Sequence, residues 1–149
     1  MKNGRIFSLS IFYGLFSGTI LALFFYIIEI TSGIKLYTLL MNIDFILLFQ
    51  KYPLTPIPEF IIHIIVSINL VFVLLIIRNL FPSFFYFSFF VIFTITIVLY
   101  VPLSLLAVQT VPNLSDYYAI SLWIIGHILY FFVIYLFLTK SNKHNKTFF

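Results

Sequence analysis

The sequence predicts an all-α membrane protein, a four-transmembrane-helix bundle with an interfacial or re-entrant helix in its first outer loop. Three observations predict it. Of the residues 63% are hydrophobic and 8% charged, where a soluble globular domain carries roughly 25% charged residues. The apolar residues are gathered into runs of about 20, the length that crosses a bilayer as a helix. The few charges fall between those runs, and Asn79 to Ser115 carries none at all. The 149 residues have room for one integral membrane domain. Cysteine is absent, which excludes a disulfide framework, thiol chemistry and Cys-ligated zinc or iron–sulfur centres. The net charge of +4 comes from so few residues that their placement matters more than their sum, and no nucleic-acid partner is expected.

The first span covers about residues 6–30, behind a short basic head with Lys2 and Arg5. Its apolar run is longer than the roughly 7–15 residues of a signal-peptide core, and no small-residue cleavage site follows, so it reads as a retained span. Ser10, Gly14, Gly18 and Ala22 recur every four residues, a stripe of small side chains on which a neighbouring helix can approach closely. Glu29 falls on the same face and should point toward protein rather than lipid.

The longest connection, residues 31–58, contains the mostly apolar run from Leu36 to Phe49, with Asp44 inside it. About fourteen residues are too few to span; the length suits a helix lying flat on the bilayer or re-entering it as a lid. Pro53, Pro56 and Pro58 end that segment and start the next helix, with Thr55 at its N-cap and Pro56 in its first turn. The second span covers about residues 59–78 and ends at Arg78. Phe81-Pro82 makes the turn into the third span, about residues 83–107, where Pro102 kinks the helix or marks its outer end. Ser115 or Asp116 caps the fourth span, residues 117–139. Residues 140–149 form a basic polar tail expected to be disordered beyond the membrane surface. Helices joined by short turns should pack antiparallel, the second with the third and the third with the fourth.

Four spans put Lys2, Arg5, Arg78, Lys140, Lys143 and Lys146 on one side, six of the eight basic residues. The other side holds Lys35 and Lys51 with all four acidic residues. The positive-inside rule then places both termini in the cytoplasm of a plasma (bacterial inner) membrane.

Ionisable residues at depth in a membrane are expensive and face a cavity or a partner, so they are the candidate site. Glu29 ends the first span and Glu59 opens the second. His63 lies four residues after Glu59, on the same helix face. His127 sits near the middle of the fourth span, three residues before Tyr130. Each also has a structural reading. Glu59 suits the positive end of a helix dipole, and either histidine suits a single interhelical hydrogen bond of roughly 0.6–2 kcal/mol. Glu29, Glu59, His63, His127 and Tyr130 are the candidate ligand-binding set, and His63 with Glu59 the candidate metal ligands if a metal is held. The two histidines differ in depth by about 7 Å on the helical rise, so one metal would reach both only across a tilted or kinked helix. No HExxH, no GxSxG, no Gly-rich phosphate loop and no pair of deep aspartates is present.

The Gly14-x-x-x-Gly18 first span, the long Pro-containing outer connection and the Gly126-His127-Ile-Leu-Tyr130 fourth span resemble uncharacterised bacterial four-span inner-membrane proteins of the YagU/YqhR type. The likeness covers the layout of most of the chain, and Phe131 stands where a further Gly is usual. It implies a plasma-membrane four-helix protein and supplies no activity. The leading expectation is a non-enzymatic membrane protein that binds a small ligand, cation or partner protein through an outward-facing polar pocket. The alternatives are a metal- or haem-bearing membrane enzyme or electron carrier using His63 and His127, and an assembly subunit docking through Gly14 and Gly18. No cofactor is predicted. The partners expected are the lipid bilayer and a homo-oligomer or another membrane protein.

Overall fold

The computed structural model describes residues 3–52 and 54–145, with the backbone alone for Asn3, Leu47 and residues 140–145. Lys2, Pro53 and Lys146, used above as charge or breaker positions, lie outside the described residues. Those described form helices and connections, with no strand among them.

Helix α1 (Asn3–Ser32) is a single run of 30 residues. It stops at Gly33, whose φ of 76° is a left-handed conformation that glycine adopts without steric cost. The Gly33 amide closes the last turn onto the Glu29 carbonyl at 2.9 Å. Helix α4 (Pro56–Leu80) begins with proline in its first turn, where no intrahelical N–H is needed. Thr55 occupies the preceding cap position in an extended conformation, without a side-chain capping bond.

A single 3₁₀ turn, Pro82–Phe84, leads into α5 (Phe85–Val98), and α6 (Tyr100–Leu106) continues the same span. The break falls at Leu99 because Pro102 has no N–H to give the Val98 carbonyl. The bonds on either side persist: Leu99 N–H to Ile95 O at 2.9 Å and Leu103 N–H to Leu99 O at 3.1 Å. Helix α7 (Tyr117–Asn145) is capped by Asp116, whose Oδ1 accepts the Ala119 N–H at 2.9 Å. Its backbone stays helical through 140–145, where the sequence suggested a disordered tail. No Gly or Pro interrupts it there, and lysines suit a helix C-terminus.

Four helices, Gly4–Ser32, Pro56–Leu80, Pro82–Leu106 and Tyr117–Thr139, are long and apolar enough to cross a membrane. The chain is a small multi-pass membrane protein. Its bundle is organised around α1, which packs most extensively on α4 and next on α7. The neighbour pairs expected from short turns are present but thin. The closest pair is the one joined by the longest connection, because the small-residue stripe lets the two backbones meet. A Cβ on Gly14 would fall 2.5 Å from the Ile68 Cα, and one on Gly18 would fall 2.8 Å from Ser67 Oγ. Gly126 does the same for α7, where a Cβ would strike the Phe25 ring. Aromatic rings fill the α1–α7 seam, with Phe25 stacked on Trp123 and Tyr13 stacked on Phe137. The third span is the outermost, with 6% of its most apolar window buried against 39% for α1.

The first connection is two short helices rather than one, α2 (Leu36–Met41) and α3 (Leu47–Lys51). Asn42 ends the first. Its Oδ1 accepts the Asp44 N–H at 2.9 Å, an Asx turn that competes with helix continuation. Leu36, Leu39 and Met41 are buried, so α2 is pressed onto the bundle as a lid.

Candidate functional site

At the end of the bundle where α1 stops and α4 begins, a cavity of about 180 Å³ opens beneath the lid. The lid contributes Met41, Asn42 and Phe45, α4 contributes Glu59, His63 and Ser67, the third span Thr96 and Leu103, and α7 Trp123, His127 and Tyr130. Glu59, His63, His127 and Tyr130 from the sequence-derived set therefore line one space. The separation in depth along the helices does not keep the two histidines apart.

Glu29 does not join them. Its Oε2 accepts the Thr38 N–H at 2.8 Å, its Oε1 accepts the Thr38 hydroxyl at 2.8 Å, and Lys35 Nζ lies 3.2 Å from Oε1. The carboxylate that the helix period turns toward protein thus pins α2 to the end of α1. It is an anchor for the lid and not a wall of the cavity.

The hydrogen bonds around the cavity run in defined directions. Ser67 Oγ donates to the Gly14 carbonyl at 2.8 Å, so the Tyr130 hydroxyl, 2.9 Å from the same oxygen, is the donor to Ser67. Three helices meet in that chain of two bonds. His63 Nε2 sits 3.3 Å from the Gly18 carbonyl, and His127 Nδ1 sits 2.9 Å from the Trp123 carbonyl. A carbonyl oxygen only accepts, so each of those ring nitrogens carries the proton. His127 is also packed against the Trp123 ring, centroids 4.4 Å apart, and is 4% exposed. The Glu59 carboxylate, at the mouth, accepts no hydrogen bond from the described residues.

A smaller cavity of about 110 Å³ adjoins at the mouth, lined by Glu59, Asp44, Gln50 and Gln109. Asp44 Oδ2 accepts the backbone N–H groups of Val108 at 3.0 Å and Gln109 at 2.8 Å, tying the lid to the connection before α7. The sequence alone marks Asp44 only as a charge inside an apolar run and gives Asn42 no role. The Asn-x-Asp spacing, two turn-forming side chains inside an apolar run, was the available signal. Burial raises the Tyr37 phenol above its usual value, with the nearby Glu59 and Glu29 carboxylates adding to the shift.

Among the described residues no three His, Asp or Glu side chains stand close enough to hold one ion, so His63 and Glu59 lack a third protein ligand. The stripe of Ser10, Gly14, Gly18 and Ala22 packs at both glycines against the chain's own α4. No family model, no curated protein and no solved structure matches this chain.

Proposed function

We propose that this protein binds a small ligand in the cavity between α4, the third span and α7, and that binding rather than catalysis is its activity. The observation that carries the reading is convergence: a carboxylate and two imidazoles, from two spans and at different heights, line one apolar space. Buried polar groups inside a membrane protein are retained where they meet a cavity or a ligand. At about 180 Å³ the space is below the roughly 300–1,000 Å³ of drug-sized sites, so the occupant is fragment-sized or inserts only its head. The lid and the mouth lie at the end rich in acidic residues, which the distribution of Lys and Arg assigns to the outside of a plasma membrane, with both termini cytoplasmic. The layout likeness to four-span proteins of the YagU/YqhR type accords with that placement.

The test is a thermal-shift screen of small organic compounds on detergent-purified protein beside Leu103→Trp, which puts an indole into the cavity. Compounds that stabilise the native chain and not the filled variant support the reading; equal shifts in both would remove it. A fluorescent protein fused at the C-terminus should be bright, and alkaline phosphatase fused at the same point inactive. The reverse pattern would invert the orientation.

A further inference from the structure

We propose that the cavity selects an organic cation bearing N–H groups, a small protonated amine with an apolar body. The proposal rests on the binding reading above and names the ligand class of that site.

Its basis is the direction of the hydrogen bonds in the wall. Ser67 gives its proton to Gly14 O, Tyr130 gives its proton to Ser67, and Thr96 Oγ1 donates to Phe93 O at 2.7 Å. His63 and His127 each commit a ring N–H to a main-chain carbonyl, so in the neutral ring the remaining nitrogen is an acceptor. Glu59 in its ionised form has only lone pairs to offer. Six polar side chains of the lining thus present acceptors to an occupant. The exception is Asn42, 3% exposed, whose Nδ2 is buried with no hydrogen-bond partner and so offers one donor at the lid.

An anion would face lone pairs almost everywhere. A neutral alcohol would supply one proton and leave the Glu59 charge uncompensated. A metal ion would find no third protein ligand among the described residues. A protonated amine brings a positive charge and up to three donors, the complement of this wall. Charge placement agrees. Among the described residues no Lys or Arg lines either cavity, and the adjoining one adds Asp44, whose Oδ1 is buried and has no hydrogen-bond partner among them. The rest of the wall, including Leu21, Leu70, Leu103 and Trp123, suits a short hydrocarbon body and an indole face suits a cation.

Trp123 is the protein's single tryptophan and stands in the wall, so its emission reads this site alone. The full chain in a neutral detergent would be titrated with hexylammonium, hexyltrimethylammonium, hexanol and hexanoate, four probes with one hydrocarbon body. The expected result is a saturable change with hexylammonium at a half-saturation about tenfold below that of hexanol. Hexyltrimethylammonium, with charge but no N–H, should fall clearly behind hexylammonium, and hexanoate should not saturate. Glu59→Gln should bring hexylammonium to within about threefold of hexanol. Hexanol matching hexylammonium in the native chain would overturn the cation assignment and leave the binding site standing. Hexyltrimethylammonium matching or exceeding hexylammonium would overturn the N–H requirement. A linear, unsaturating response to all four would remove the binding reading itself. Should Glu59→Gln fail to fold, the ranking in the native chain decides alone.

Discussion

Ser67 donates its hydroxyl proton to the main-chain carbonyl of Gly14 at 2.8 Å, a bond formed only because Gly14 has no side chain to hold the helices apart. A Cβ there would meet the α4 main chain at Ile68, 2.5 Å from Cα and 2.8 Å from N, and a main chain cannot rotate aside as a side chain can. Gly14→Ala should therefore lower the unfolding free energy in detergent by about 1–3 kcal/mol. Gly4→Ala, which meets nothing within 4 Å, is the matched control and should be silent. Equal stability of the two variants would mean that the α1 and α4 backbones do not touch at Gly14.

Removing Ser67 and removing the Tyr130 hydroxyl are not equivalent. Ser67→Ala leaves the Gly14 carbonyl without its side-chain donor and the buried Tyr130 hydroxyl without its acceptor, two losses at once. Tyr130→Phe takes away a donor and leaves Ser67 still bonded to Gly14. In membranes each such bond is worth roughly 0.6 kcal/mol on average, up to about 1.7. Ser67→Ala should be the more destabilising, and the double variant should lie close to Ser67→Ala alone. Additive losses would show that the two bonds are independent.

Asp44 reaches across the mouth to the Val108 and Gln109 amides. Asp44→Ala should free both, and hydrogen exchange at Val108 and Gln109 should accelerate by about tenfold or more, the factor that 1.4 kcal/mol provides. Exchange in the middle of α1 should not move. Unchanged protection at the two amides would rule out the strap.

Around Glu29 the buried-side contacts should outweigh the ion pair. Lys35 is half exposed, and an exposed pair contributes about 0–1 kcal/mol, so Lys35→Ala should barely alter stability. Thr38→Val removes a charge-assisted hydroxyl bond to the same carboxylate and should lower stability by about 1.5–3 kcal/mol. Glu29→Gln should leave probe binding in the cavity unchanged, since Glu29 is not in its wall. A loss of binding in that variant would reinstate Glu29 as a ligand contact.

The four spans were legible because hydropathy accumulates over 20 or more residues and a few charges cannot hide it. The small stripe was legible because a four-residue period is local. The fate of Glu29 was not. Helical period gives the direction in which its side chain leaves α1, but not that the chain turns back nine residues later and offers the Thr38 amide. The break between α2 and α3 was written in Asn42 and Asp44, yet the partners of Asp44 lie more than 60 residues away. The helix pairs expected from the short turns are present, but the dominance of the α1–α4 pair was not legible, since a short turn guarantees proximity while backbone approach decides the extent of contact.

The thin packing of the third span bears on how the molecule is made. During synthesis α1 enters the bilayer before α4 and meets this main partner only after a long connection has passed. Its other partner, α7, is the last of these four spans to arrive. The third span adds little to the seal between them; it carries the nascent chain back across the lipid, so that α7 runs antiparallel to α1. Its sequence is thus under demand for insertion more than for fit, and the bundle closes only when α7 docks and the lid has a floor to rest on.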